Sequence, residues 1–193
     1  MGSSYQTVLA TGNLVDVRAA VAMSQQMAMI IPVAEGRWAV VPVQEDGIYA
    51  ETEDLAELLS LAPGSMAASF DVFDSDVMVA KLFRDGRSYH EYLSDQAYLV
   101  ETWDDDDNEI LFDLLGRPYP PGASPPSGAY GADPAMFGAL GVEPIDEAEL
   151  GVALSRSGLR AEEQHHAILH ALNLDCGPLA MSFEEAAASG LGV

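Results

Sequence analysis

An α+β fold built on an antiparallel sheet is what this sequence predicts, on three observations. Apolar residues alternate with a period of two through residues 69–94, in three runs separated by Asp74-Ser75-Asp76 and Arg84-Asp85-Gly86, the turn chemistry that joins antiparallel strands. Helical periodicity appears in short amphipathic segments before that stretch and again after residue 133. Hydrophobic residues make up 49% of the 193, which suffices for a buried core in one domain, with or without an appendage.

Taken in order, Tyr5 to Ala10 reads as a short strand. Asn13, with Asp16 three residues on, opens an amphipathic helix running to about Ala22. Residues 27–43 hold two apolar, β-rich runs around Ala34-Glu35-Gly36, a hairpin signal. Thr52 is placed to cap a helix carrying Leu55, Leu58, Leu59 and Leu61, which Pro63-Gly64 stops. The three-stranded meander follows, one face expected against helices and the other partly wet, with Asp71, Lys81, His90 and Glu91 along it. Residues 103–116, four aspartates running into Glu109-Ile-Leu-Phe-Asp-Leu-Leu, predict a short helix capped by Asn108 and closed by Gly116. Residues 117–134 are rich in Pro, Gly, Ser and Ala and read as a loop or linker. Beyond them, helices are expected over 134–140, 145–156 and 161–172, then a short apolar run at 179–183 and a last small helix at 184–186.

The expected organisation is thus an α+β core domain over 1–116, a Pro/Gly-rich loop or linker over 117–134, and a helical tail over 135–193 packed on the core. The core should be an antiparallel sheet with a three-stranded meander and helices on one face.

Charge restricts the partners. Thirty-one acidic side chains oppose eight basic ones, for a formal net charge of -23. Such a surface repels phosphate backbones and anionic lipid, so neither nucleic acid nor membrane is an expected partner, whereas a basic protein is. General solubility, or a salt-adapted host, would also account for the acidity. No run of about 18 apolar residues is present, the N-terminus lacks a secretory pattern, and Cys176 stands alone; a cytoplasmic location follows.

Chemistry is concentrated in Glu162-Glu-Gln-His-His-Ala-Ile-Leu-His170, which holds three of the four histidines. On a helix, Ala161, His165, Ile168, Leu169 and Leu172 form the buried stripe, while Glu162, His166 and His170 follow one another at i, i+4 steps on the opposite side. A carboxylate and two imidazoles so spaced could touch one divalent ion, the only cofactor the sequence allows for. The spacing departs from H-E-x-x-H, however, and a solvated polar face stabilised by Glu-His pairing is the reading preferred over a metal site. The Asp104–Asp107 tract lacks the glycine and glutamate of an EF-hand loop in every register. Asp71, Asp74 and Asp76 read as formers of a hairpin end. Cys176 reads as a small apolar residue, and nucleophile-elbow, dinucleotide and phosphate-loop patterns are all missing. The function expected is therefore non-enzymatic: an acidic interaction protein, an immunity- or antitoxin-like inhibitor being one concrete form, with Trp103, Asp104, Asp105, Asp106 and Asp107 as partner-binding residues. The alternative is a metal-binding or metal-dependent hydrolytic role for the histidine helix.

Overall fold

The computed structural model describes residues 2–44, 50–103, 109–120 and 122–193. Its elements run β1 (Tyr5–Thr11), α1 (Leu14–Ser24), β2 (Ala28–Ala34), β3 (Arg37–Pro42), α2 (Thr52–Leu59), β4 (Met66–Phe73), β5 (Val77–Arg84), β6 (Arg87–Leu93), β7 (Leu99–Trp103), β8 (Glu109–Asp113), β9 (Pro118–Tyr119), α3 (Pro134–Gly138), α4 (Glu147–Ser155), α5 (Ala161–Ala171) and α6 (Phe183–Ser189). The fold is α+β, with a six-stranded antiparallel sheet ordered β2-β3-β1-β4-β5-β6 and a three-stranded sheet ordered β7-β8-β9.

Local chemistry explains the elements that were legible. Asn13 accepts the backbone N–H of Asp16 and starts α1. The meander turns where expected, Asp74, Ser75 and Asp85 taking the positive φ that lets short loops match strand twist. Pro32 sits on β2, an edge strand of the sheet, beside a register shift between Pro32 and Ala34, where a missing backbone donor costs least.

β1 is buried at every residue because both faces of the sheet are covered. On one side α1 and α2 enclose Val8, Ala10, Val17, Val40, Leu55, Ala67 and Phe83. On the other, α3 to α6 close over Leu9, Ile31, Phe70, Met78, Leu82 and Tyr92, so the sheet and the tail share one cluster that also holds Phe137, Leu150, Ile168 and Leu179. Arg37 bolts the tail to β3, its Nε and Nη2 donating to the carbonyls of Leu140 and Gly141 at 2.6 and 2.7 Å. Alternation sorts the polar residues of the meander accordingly. Asp71, Lys81 and Glu91 face the α2 side, whereas His90 turns to the tail and meets Phe137 edge-on.

One expected element is wrong. Residues 109–113 form β8, a strand pairing with β7 from Leu99↔Asp113 to Trp103↔Glu109, in place of a helix. A five-residue apolar run has no intrinsic period by which to separate helix from strand, and Leu99-Val-Glu-Thr-Trp supplies a β-prone partner. Gly116, φ +76°, belongs to the turn after β8, and Asp113 closes that turn by accepting the N–H groups of Leu115 and Arg117. Asn108, the expected cap, lies outside the described residues. The Pro/Gly-rich stretch is tied down: Tyr130 and Leu93 exchange backbone bonds, and the Arg117 guanidinium lies 3.8 Å from the centre of the Tyr130 ring. Among the described residues no helix is long and apolar enough to cross a membrane.

The last helix depends on its cap. Ser182 accepts from Glu185 N while the Glu185 side chain reaches back to Ser182 N, a complete capping box. Ser182→Ala is expected to cost about 1 kcal/mol in a urea titration, with the slope against denaturant unchanged.

Candidate functional site

A cleft floored by a buried acid that has no ion-pair partner among the described residues lies on the α2 side of the sheet. Its floor is Asp71, in the middle of β4 and 7% exposed. Register sets Asp71 opposite Gln6 of β1, whose amide donates to Asp71 Oδ1 at 3.0 Å. The Gln6 orientation is fixed in turn, since its Oε1 accepts from Ala50 N at 2.6 Å. Thr52, at the first turn of α2, also donates to Oδ1, at 2.9 Å. This differs from the expected capping role: Glu51 occupies the cap position without a side-chain bond, and the Thr52 hydroxyl goes to the carboxylate.

The cavity above Asp71 measures about 430 Å³. Phe73, Val79 and Leu114 give it apolar walls, and Glu51, Glu53 and Asp54 stand at its rim. Burial pushes the Asp71 carboxyl up to about 6; the Thr52 and Gln6 bonds oppose that, Glu53 adds to it, and Lys81 opposes it weakly. The nearest ammonium, Lys81, is committed to Glu53 at 2.7 Å and reaches Glu91 at 4.0 Å. Asp71 is thus a carboxyl group poised to change charge near neutrality.

The histidine helix places its three imidazoles in different surroundings. His165 is fully buried, as its place on the apolar stripe predicts, and shares a 2.9 Å hydrogen bond between its Nδ1 and the Tyr5 hydroxyl. Burial first, and the neighbouring His166 second, hold His165 down at about 3, so the ring is neutral. Glu162 turns back, pairing with Arg160 at 3.1 Å and accepting from Ser75 Oγ. His166 and His170 point to solvent, and His170 Nδ1 approaches Glu149 at 3.6 Å. Glu162 and His166 line one cavity whose lining does not include His170, and among the described residues no group of three or more His, Cys, Asp or Glu is arranged to hold a metal ion. The Cys176 thiol is raised by burial and by Asp175, which keeps it protonated.

Trp103 ends β7 with 62% of its surface exposed. Asp104, Asp105, Asp106 and Asp107 lie outside the described residues. Sequence reasoning missed the Asp71 site by reading Asp71 as a turn former. The available signal was its place inside an alternating apolar strand, Phe70-Asp71-Val72-Phe73, three residues before the turn. No protein-family model, curated protein or solved structure matches the chain.

Proposed function

We propose that this chain is a non-enzymatic cytoplasmic interaction protein whose acidic exterior receives a basic protein partner, an immunity- or antitoxin-like inhibitor being one concrete form. The observation that carries this reading is the disposition of charge. Among the described residues only two carboxylates, Asp71 and Asp113, are buried; the rest of the acid reaches the surface at least in part. The few bases do little to balance it outside. Lys81, Arg117 and Arg160 are paired with the chain's own carboxylates, and Arg37 with carbonyls. An encounter with a basic surface is accelerated by such a field, while phosphate backbones and anionic membranes are repelled. Trp103 is the apolar anchor of this reading, beside the Asp104–Asp107 tract.

Affinity capture from native cell extract, at low and at physiological salt, tests the proposal. A specific partner is expected, with an association rate that falls on the order of tenfold as salt screens the field, and with retention weakened about tenfold by Trp103→Ala. Recovery of no specific partner at either salt would sink the reading.

A further inference from the structure

Among the described residues two acidic residues, Asp71 and Asp113, are buried, and they are held differently. Asp113 is neutralised from within: Arg117 Nη2 stands 2.6 Å from its Oδ2, and Oδ1 takes the N–H groups of Leu115 and Arg117. Asp71, 7% exposed against 3% for Asp113, receives among the described residues only the neutral donors Gln6 and Thr52, both on Oδ1. Among the described residues Oδ2 receives no hydrogen bond, and the Asp71 side chain lines an open cavity. Burial of an ionised carboxylate without a partner is unfavourable, so a cation brought from outside would find its counter-charge already in place.

We propose that the cleft over Asp71 is a binding site for a primary alkylammonium group, its head on Asp71 Oδ2 and its stem on Phe73, Val79 and Leu114. The choice of ammonium over guanidinium follows from the carboxylate's occupancy. A guanidinium binds best as a two-pronged fork across both oxygens, and Oδ1 already accepts two donors. An ammonium is a compact three-donor head that needs one inner oxygen, and the rim carboxylates Glu51 and Asp54 lie on the same cleft to meet its remaining donors. The cavity, about 430 Å³, is at the small end of ligand pockets and suits a single chain of methylenes. The same chemistry has two sources, a free alkylamine and a lysine side chain of a protein partner. The site stands independently of the interaction reading above.

The test is a titration of the full chain with n-butylammonium and, separately, n-butylguanidinium and Nα-acetyl-lysine methylamide, followed through the methyl resonances of Val79 and Leu114. The expected result is saturable, millimolar binding of butylammonium, several-fold weaker binding of butylguanidinium, and a loss of about tenfold in Asp71→Asn. Asp54→Asn, an exposed rim change that leaves the fold alone, should weaken binding by a smaller factor. Equal binding to wild type and Asp71→Asn, or no saturable shift with any of the three probes, overturns the proposal. Tight binding of the lysine derivative together with butylammonium displacing the captured partner identifies a lysine side chain as the occupant; amine binding undisturbed by the partner identifies a free amine. Partner capture without amine binding refutes this site alone, and amine binding without partner capture refutes the interaction reading alone.

Discussion

Acidification from pH 7 to about 4 is expected to cost the protein roughly 3 kcal/mol through His165 alone, rising to roughly 4 kcal/mol at about pH 3. The ring is fully buried between Tyr5 and Phe70, with centroid separations of 5.7 and 4.5 Å, and its Nε2 has no hydrogen-bond partner among the described residues. Charging it there means burying an imidazolium beside aromatic faces, and burial accordingly lowers its pKa from 6.5 to about 3. Because the folded-state value lies below the unfolded one, this stability is whole above about pH 6.5 and is lost as pH falls through about 3. The double variant Tyr5→Phe/His165→Leu isolates the effect, since it removes the ring and the hydroxyl that would otherwise lose its partner. At pH 7 it should stay within about 2 kcal/mol of wild type, and between about pH 6.5 and 4 its stability should decline less, by roughly the amount above. Relief of carboxylate repulsion on acidification acts on both proteins and cancels in the difference. Parallel stability curves for the two proteins would show that His165 takes up its proton without penalty.

His165 was legible because burial on a helix follows from periodicity alone. The same rule placed Glu162, His166 and His170 on one exposed face, but spacing says only that residues can meet. It carries no information about Arg160 and Ser75, which draw Glu162 aside. The meander was readable because its turns are local, and β8 was not, because five residues take their conformation from a partner strand. Asp71 shows the limit most clearly. Its two donors come from residues 65 and 19 positions away, and the wall at Leu114 follows a strand that the sequence presented as a helix. What makes Asp71 distinctive is therefore long-range: which donors arrive, and which cation does not.

Asp71→Asn should raise stability by about 3 kcal/mol at about pH 8, or on the order of 5–10 °C in Tm, and change it little at about pH 4. The substitution keeps an oxygen to accept from Gln6 and Thr52 and removes only the buried charge. Burial, the principal cause, raises the Asp71 pKa from 3.8 to about 6, so the carboxyl's favourable contribution is complete below about 3.8 and lost as pH rises through 6. Above that value the native protein holds an ionised carboxylate with two neutral donors, and asparagine relieves it. The charged groups around it divide in sign: Glu53 of α2 pushes the carboxyl toward its neutral form, and Lys81 of β5 pulls weakly the other way from its pair with Glu53 and Glu91. Thermal unfolding of wild type and variant at the two pH values decides the matter; a variant less stable than wild type at about pH 8 would mean that the carboxylate is held by more than Gln6 and Thr52. An ammonium bound on Oδ2 reverses the balance, because it favours the ionised form and draws the pKa back down. Saturating butylammonium should then stabilise wild type more at about pH 8 than at pH 5, and should stabilise Asp71→Asn by about 1.4 kcal/mol less than wild type at the same ligand concentration, so that the same carboxylate that weakens the empty protein strengthens the occupied one.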